Sequence, residues 1–376
     1  MTRPQCSTSR APLLHGSQQA AGHCVRRHGT LRCQRARLRA CDDEAVLEPT
    51  DDLAVIVVNF GSHADLEANL GSLDLDRSRG RVQVRVVVVD NYRSAEDRTS
   101  IEDLVRRHGW ELVARPTNEG FGAAVGHGAR RAEALGCSVL LLLNPDAHVD
   151  VDTMAALHHA GLARPRTITS PRVLRPDGGL WFGGASLDLR TGTTRGGEVT
   201  WVPERVVPWL SGACLAVHRD LWSELGGFSD EYFLYWEDVD LSYRAVLAGA
   251  ELAVRHDLTA VHSVGGSQRA PHPDGAGAGV QGTSGTPETS DGQGKSALYC
   301  YYNCRNRLLF AAKHLPPPAG LRWLAGSPKY AASVLRRGGR RGPPSLRQLS
   351  AAVAGTLAGA GHLLRGTAYR RARSVS

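Results

Sequence analysis

Acidic side chains at the ends of buried strands are the residues of this chain best suited to chemistry. The run SVLLLLNPDAHV at 138–149 is a continuous Val/Leu strand pattern that stops at Asn144-Pro145-Asp146. A strand buried on both faces is typical of a parallel sheet, and open α/β folds place their chemistry at its carboxyl edge. Asp146 has no basic neighbour in sequence and is a candidate ligand for a hard divalent cation. The alternative is structural, because Asp146 or Asp150 could cap the following helix.

Three further segments carry polar residues in similar contexts. Asp90 ends the strand pattern VQVRVVVVDN, and a Gly-rich segment, NEGFGAAVGHGARRA, begins at Asn118. Glu237 and Asp238 stand together in FLYWEDVDLSYRA. The Gly-rich segment is not a dinucleotide-binding fingerprint, because its glycines read G-x-G-x-x-x-G and it follows a later strand than the first.

The elements that must position these residues alternate between strands and helices. Strand patterns cover 53–60, 82–91, 110–114 and 139–143, and helical patterns cover 66–73, 100–109 and the end of the Gly-rich segment. This alternation predicts βαβ units and a mostly parallel sheet, and therefore an α/β fold. Short β-prone pieces at 167–207, separated by Gly-rich turns, indicate hairpins over the sheet edge.

Charge is distributed unevenly along the 376 residues, whose net charge is +8. Residues 1–48 carry eight Arg against four acids, and residues 313–376 carry twelve Lys and Arg against none. These ends contribute +4 and +12, so residues 49–312 carry −8. Basic ends suit an anionic membrane surface or a nucleic acid, and solvated tails are the alternative.

Composition also predicts the domain organisation. Residues 1–50 are polar, Arg-rich and aperiodic, which predicts a disordered basic extension before a folded domain at 51–266. Residues 267–296 are rich in Gly, Ser, Thr and Pro and predict a flexible loop. Residues 297–376 alternate apolar helical pieces with Arg clusters and predict a basic helical region.

Cysteine usage and hydropathy favour a cytoplasmic protein. The four later cysteines lie in apolar contexts and are expected to be reduced core thiols: Cys137, Cys214, Cys300 and Cys304. The Arg-rich start has no apolar stretch typical of a signal peptide, and 351–364 is too short to span a bilayer. We expect the protein to lie on the inner face of the membrane, if it contacts the membrane at all.

In their order and contexts, Asp90, the loop at 118–122, Asp146 and the Glu237-Asp238 pair resemble motifs of the inverting glycosyltransferases of family 2. The resemblance is strongest to the rhamnosyltransferase-like branch. It implies the GT-A fold, a Rossmann-like sheet flanked by helices, here followed by C-terminal amphipathic helices. It also implies transfer of a rhamnose-like sugar from a donor such as dTDP-rhamnose to a glycan or polyprenyl-linked acceptor.

The resemblance assigns a donor site to the strand ends and the Gly-rich loop. Asp90 is similar to the family's first aspartate, which hydrogen-bonds the nucleotide base or ribose, and the alternative is a helix N-cap. Glycines in the loop let its backbone approach the nucleotide. The expected donor-binding residues are Asn59, Asp90, Asn118, Gly120, Phe121, Gly122, Asn144 and Asp146.

The resemblance also implies a metal site. Asn144-Pro145-Asp146 stands in the place of the family's Asp-x-Asp motif, with Asn in place of the first Asp. Asp146 is expected to hold Mg²⁺ or Mn²⁺ against the diphosphate, where the ion stabilises the charge of the leaving group. His262 stands where related enzymes place a histidine near the metal, and a core or loop histidine is the alternative.

The Glu237-Asp238 pair resembles the family's Glu-Asp pair, in which the Asp is the catalytic base. An inverting transfer needs one carboxylate to take the proton of the acceptor hydroxyl, and Asp238 is expected to do so while Glu237 orients the acceptor. Asp240 is expected to cap the helix or to pair with Arg244. The expected acceptor-binding residues are Trp209, Gly212, Ala213 and Trp236, and the alternative for Trp236 and the other aromatics at 232–236 is simple core packing.

Other functions fit the sequence less well. A nucleic-acid-binding protein would interleave aromatic and basic residues, whereas the aromatics here cluster beside Glu237 and Asp238. An NAD-dependent enzyme would show Gly-x-Gly after the first strand. A catalytically silent scaffold stays open because the first Asp of the metal motif is missing. The basic C-terminal helices suit an anionic membrane, or else they cover the sheet or pair protomers.

Overall fold

A computed structural model describes residues 51–73, 82–197, 205–263, 296–337 and 343–373, with side chains described as far as 365. The predicted basic extension at 1–50 and the predicted loop, as far as residue 295, lie outside these ranges. The domain boundaries stay predictions.

Strands and helices alternate through the first half of the chain, as predicted. The strands are β1 (Leu53–Asn59), β2 (Val84–Asp90), β3 (Glu111–Ala114), β4 (Val139–Leu143), β5 (Ala147–His148), β6 (Thr167–Leu174), β7 (Leu180–Phe182), β8 (Ala185–Asp188), β9 (Thr193–Gly196), β10 (Val206–Trp209), β11 (Cys214–His218) and β12 (Glu251–His262). The helices are α1 (His63–Leu66), which continues as a π-helical turn to Gly71, α2 (Ala95–His108), α3 (Phe121–Ala134), α4 (Val151–Ala163), α5 (Arg219–Leu225), α6 (Glu237–Leu247), α7 (Ala297–His314), α8 (Pro317–Ala325), α9 (Ser327–Arg336) and α10 (Leu346–Arg373).

The main sheet has the order β3-β2-β1-β4-β11-β6-β12-β5, with β7 paired to β6. Strands β1 to β4 pair in parallel, β11 runs antiparallel between β4 and β6, and β12 is parallel to β6. Strands β8, β9 and β10 form a separate antiparallel sheet. The predicted α/β fold with a mostly parallel sheet is confirmed.

The central strands are apolar along their whole length because helices cover both faces of the sheet. Every residue of β1 and β4 is buried. Helix α3 lies directly on β1, and a Cβ at Gly128 would stand 2.5 Å from the side chain of Ile56. The small residue therefore lets α3 approach the sheet closely, and this helix begins at the Gly-rich loop.

Helix caps decide two alternatives that the sequence left open. Ser94 caps α2 by accepting from the backbone N–H of Asp97, so Asp90 is not that helix's cap. Asp150 caps α4 by accepting from the backbone N–H of Thr153 at 2.6 Å. Asp90 and Asp146 are consequently available for other contacts at the sheet edge.

The predicted C-terminal amphipathic helices are present and build a second apolar core. Trp323, Phe310 and Leu308 of α7 and α8 are fully buried there, together with Tyr232 and Trp236 from the segment before α6. This packing is the covering role that the sequence allowed for these helices.

The four cysteines of the described chain, Cys137, Cys214, Cys300 and Cys304, are buried, as expected for core thiols. Among the described helices, none combines the length and the apolar character needed to cross a bilayer.

Candidate active site

The carboxyl ends of β1, β2 and β4 meet at one edge of the sheet, and β12 ends at the same edge. Parallel pairing places Asn59 opposite Asp90. His262, the last residue of β12, pairs with Ala147, which directly follows Asp146. The expected donor and metal residues are therefore brought together by strand register.

Asp90 lies at this edge with 1% of its surface exposed. One carboxylate oxygen accepts from Asn59 Nδ2 at 3.0 Å, and the other is paired with the guanidinium of Arg98 on α2. Asn59 is fully buried and its own amide oxygen accepts from the backbone N–H of Ser62. Asn59 therefore holds Asp90 from behind, which is a positioning role and not the donor contact expected from the sequence.

The Gly-rich loop is held by Asn91, the residue after Asp90. Asn91 donates to the side chain of Asn118 at 2.9 Å and accepts from the backbone N–H of Glu119 at 3.0 Å. Asn118 in turn accepts from the backbone N–H of Gly120. The loop at the donor side is therefore fixed to the end of β2.

The same loop also touches the segment that carries the carboxylate pair. The backbone N–H of Phe121 donates to the carbonyl of Phe233 at 2.9 Å. Gly120 has φ of +88°, and a Cβ there would collide with that same carbonyl. A side chain at 120 is thus excluded both by backbone conformation and by the close approach of the Phe233 backbone.

Asp146 and His262, the two expected metal ligands, contact each other at the sheet edge. Nε2 of His262 lies 2.9 Å from Oδ1 of Asp146 and 3.3 Å from Nδ2 of Asn144, and both Asp146 and His262 are buried. The ring of His262 packs against Trp181 with centroids 4.5 Å apart. Nδ1 of His262 is buried without a hydrogen-bond partner among the described residues.

The chemistry of this donor set fits a divalent cation. One carboxylate, one imidazole and one amide converge at the sheet edge, with Nε2 of His262 facing both Asp146 and Asn144. Within the described ranges no group of three His, Cys, Asp or Glu side chains stands close enough to hold a metal. Mg²⁺ is commonly held by one or two protein carboxylates together with substrate phosphates and water.

Asp238 lies in the first turn of α6, facing the turn that follows β10. Its Oδ2 accepts from the backbone N–H of Gly212 at 3.2 Å, and its Oδ1 accepts from the backbone N–H of Val239 at 2.8 Å. Burial raises the pKa of Asp238 to about 6, although these hydrogen bonds oppose the shift. A carboxylate with such a pKa is a better proton acceptor than an exposed one while still being mostly charged at pH 7.

Glu237 and Asp240 flank this residue and differ from it in environment. Burial, and then the charge of Asp238, raise the pKa of Glu237 well above its usual value, and its Oε2 has no partner among the described side chains and backbone. Burial also acts to raise the pKa of Asp240, but hydrogen bonds from His314 and Arg244 lower it overall. Asp240 therefore has the ion-pair role expected for it, with Arg244 at 2.7 Å.

The entry into α6 is a strained turn held from outside. Tyr235 and Trp236 both have positive φ, at 66° and 76°, which side chains rarely adopt. Asn306 of α7 is fully buried and donates to the carbonyls of Leu234 and Tyr235 at 2.9 and 2.8 Å. Helix α7 thus fixes the backbone that places Asp238.

The expected acceptor residues divide into two groups. Gly212 and Ala213 lie in the turn beside Asp238, and the carbonyl of Ala213 accepts from the backbone N–H of Asn144 at 2.9 Å. This turn therefore links Asp238 to Asn144. Trp236, by contrast, is 4% exposed and packs against Phe310 and Trp323, so its ring supports the helix from behind and is not presented to an acceptor.

Trp209, the remaining expected acceptor residue, is partly buried against Phe182. It lines a cleft of about 460 Å³ together with Gly184, Pro208 and Val254. None of the carboxylates lines this cleft, so it lies beside the site and not within it.

Three positioning residues were not predicted: Asn91, Arg98 and Asn306. Asn91 follows Asp90 directly in sequence, and Arg98 lies eight residues after Asp90. An arginine eight residues after a strand end does not by itself predict an ion pair with the carboxylate at that end. The contact of Asn306 with Leu234 spans 72 residues, and nothing local in the sequence indicates it.

Comparison with known proteins gives relatives of one kind. The chain is 31% identical over 226 residues to an N-acetylglucosaminyl-diphospho-decaprenol L-rhamnosyltransferase of Mycobacterium tuberculosis, a match covering 53% of this chain and 72% of that protein. It is 26% identical over 227 residues to the low-salt glycan biosynthesis hexosyltransferase Agl10 of Haloferax volcanii, covering 57% and 67%. No family model matches the chain.

Among solved structures, a mannosyltransferase of Pyrobaculum calidifontis in complex with GDP-Man and Mn²⁺ is similar at a TM-score of 0.45 and 18% identity, covering 89% of this chain and 90% of that one. The sequence relatives carry the assignment, and the sheet described above is the GT-A architecture expected of them. The chain belongs to the family 2 glycosyltransferases, in their rhamnosyltransferase-like branch, and is an enzyme of the hexosyltransferase class.

Proposed function

We propose that this glycosyltransferase moves a rhamnose-like sugar from a nucleoside diphosphate donor to a lipid-linked glycan acceptor with inversion, and that Asp238 is the base. The observation that carries the proposal is the placement of Asp238 on α6, beside the Gly212 turn, with its pKa raised to about 6. The relative from Mycobacterium tuberculosis, whose name specifies rhamnosyl transfer to a diphospho-decaprenol acceptor, supports the substrate class.

The reaction is a single displacement. The acceptor oxygen forms its bond to the anomeric carbon while the bond from that carbon to the diphosphate oxygen breaks, and the acceptor proton goes to Asp238. Gly212 donates its backbone N–H to Asp238 and so helps to orient the carboxylate. Glu237, with its raised pKa, is suited to act as a neutral hydrogen-bond donor to the acceptor.

The donor is bound along the sheet edge. Asp90 and the Gly120–Gly122 loop face the nucleotide, while Asn59, Asn91 and Arg98 hold them in place. Asp146 and His262, beside Asn144, would hold Mg²⁺ or Mn²⁺, and the ion would supply positive charge to the departing diphosphate. With a single carboxylate in the set, we expect metal affinity to depend on bound nucleotide.

The protein is proposed to work as a peripheral enzyme at the inner face of the membrane, where a polyprenyl-linked acceptor is embedded. The basic C-terminal region, with twelve Lys and Arg and no acid over 313–376, supports this location. Nucleic acid is not a proposed partner.

Calorimetric titration of dTDP-, UDP- and GDP-sugars with and without Mn²⁺ tests the donor site. One donor should bind in a metal-dependent manner, and Asp146→Ala should abolish the metal dependence. Asp150→Ala is the matched control, because it removes a nearby carboxylate that only caps α4. Absence of binding by any nucleotide sugar would refute the proposal, and retention of configuration in the product, measured by NMR, would refute the inverting mechanism.

A further inference from the structure

Helix α10 exposes a row of apolar side chains along one side. These residues, here called the apolar stripe, are Leu346, Leu349, Val353, Leu357 and Leu364, with 84, 39, 59, 68 and 58% of their surface exposed. Their intervals of three, four, four and seven residues keep them on one side of a helix. The stripe accounts for half of the large hydrophobic side chains that are exposed in the described chain.

The stripe is not a surface that α10 could turn inward. A different side of the helix, which carries the buried Ala352 and Leu363, packs on α7 and α8, and Leu363 lies against Gly320 of α8. On that side, a Cβ at Gly355 would collide with the carbonyl of Tyr301, and one at Gly359 would stand 2.6 Å from the carbonyl of Arg305. Since the backbones of the two helices touch, rotation of α10 is blocked and the stripe faces outward.

Basic residues accompany the stripe. Arg347 and Arg365 are exposed on α10. Their separation of 18 residues, about five helical turns, places the two arginines on the same side of the helix as each other, next to the stripe. Exposed basic residues also stand on the neighbouring helices α8 and α9, at Arg322, Lys329 and Arg336. Residues 313–376 contain no Asp or Glu to neutralise them.

We infer that the apolar stripe of α10 docks on an anionic lipid bilayer, with the helix lying in the plane of the surface. Leucines that enter the interface between headgroups and acyl chains, beside arginines that contact lipid phosphates, are the pattern of a helix that lies on a membrane. Leu364 lies 18 residues after Leu346, so the stripe's line of contact is about 27 Å long.

A second copy of the chain is the competing occupant, and charge argues against it. A symmetric dimer through the stripe would bring together two regions that are each basic and without acids. An anionic surface instead gains affinity from each exposed Lys or Arg that comes close to the lipid, roughly fivefold per residue. The docking inference rests on the proposed function only for its purpose, which is to bring the enzyme to a lipid-linked acceptor.

Cosedimentation of the full chain with phosphatidylglycerol vesicles and with pure phosphatidylcholine vesicles tests the inference. The protein should bind the anionic vesicles and not the neutral ones, and the binding should weaken as salt is raised. Val353→Asp with Leu357→Asp should weaken binding at least about tenfold, because two charges enter the apolar contact. Arg347→Glu with Arg365→Glu should weaken it by a comparable factor.

Leu247→Asp is the matched control, since Leu247 is 68% exposed like Leu357 but lies at the end of α6. This control should bind vesicles as the unaltered protein does, and circular dichroism and melting should be alike for all variants. Equal binding by the stripe variant and the unaltered protein would overturn the inference. The inference would also be overturned if sedimentation velocity showed that the unaltered protein is a dimer and that Val353→Asp with Leu357→Asp converts it to a monomer.

Sugar-transfer assays with two kinds of acceptor distinguish a failure of the docking inference from a failure of the proposed function. With a short-chain, water-soluble acceptor, the stripe variant should transfer sugar at the unaltered rate, while transfer to an acceptor in anionic vesicles should fall with binding. If vesicle binding follows the inference but no sugar is transferred to either acceptor, the proposed function fails and the docking surface stands.

Discussion

Asp238→Asn should slow the reaction strongly and, at pH 8, stabilise the fold. Burial raises the pKa of Asp238 from 3.8 to about 6 in the folded protein. A raised carboxyl pKa means that this group favours folding below about pH 3.8 and loses that contribution as pH rises through 6. The shift of about two units corresponds to about 3 kcal/mol of destabilisation by the charged form at pH 8.

Asparagine removes that buried charge but has one acceptor oxygen instead of two. The variant loses the hydrogen bond from Gly212 or Val239, at about 1 kcal/mol. The net gain in the free energy of unfolding should therefore be about 2 kcal/mol at pH 8, and it should vanish or reverse at pH 4. Urea unfolding at both pH values measures the difference.

The activity of the unaltered enzyme supplies the second measurement. If Asp238 must be charged to accept the proton, kcat/KM should rise about tenfold from pH 5 to pH 8 with a midpoint near 6. A base with the ordinary pKa of 3.8 would give a nearly flat profile over that range. Asp238→Asn should lower kcat by about 10²- to 10⁴-fold.

Glu237→Gln separates the two neighbours. Burial and the charge of Asp238 keep the pKa of Glu237 well above its usual value, so Glu237 should be uncharged while Asp238 ionises. The amide variant should consequently leave the acidic midpoint near 6 while lowering the rate by less than Asp238→Asn does. A flat pH profile, or an Asp238→Asn variant that is less stable at pH 8, would refute the assignment of the base.

Three other predictions test the supports of the site. Asp240→Asn should lower the free energy of unfolding by about 3–5 kcal/mol at pH 7, because it breaks a buried ion pair, and calorimetric melting measures this loss. The same variant should leave the midpoint of the activity profile near pH 6, which a pH profile of kcat/KM checks. The pKa of Asp240 is lowered on folding, so its contribution to stability is present above pH 3.8 and is lost as pH falls through the lower folded value. Gly120→Ala should weaken donor binding more than tenfold in calorimetry, whereas Gly178→Ala, with φ of +81° but open space around it, should only lower stability by about 1 kcal/mol. His262→Gln should raise the Mn²⁺ concentration for half-maximal activity about 10- to 100-fold, and an unchanged metal titration would exclude His262 as a ligand.

The parts of the site that the sequence predicts are those fixed by local patterns. Asp90 and Asp146 follow apolar strand runs, and the register of parallel strands brings such ends to one edge. The pairing of Asp146 with His262 spans 116 residues, and it was expected only because of the family resemblance.

Two expectations differ from the structure for reasons of burial. Asn59 is fully buried behind Asp90, because the strand end that carries it turns into a loop bonded to its amide. Trp236 is buried because helices α7 and α8 build a second core around it. An apolar repeat of 3.6 residues in a helix, or of two residues in a strand, predicts which face of that element is buried. It does not predict which distant element covers that face.

The contact of Asn306 with the carbonyls of Leu234 and Tyr235 has a consequence for the order in which the enzyme is completed during synthesis. The sheet edge, with Asp90 and Asp146, is complete in sequence well before α7 leaves the ribosome. The strained turn before Asp238 gains its two clasping hydrogen bonds only afterwards. During synthesis the turn before Asp238 is therefore the last part of the candidate site to be fixed, and a chain cut short before residue 306 would lack both hydrogen bonds.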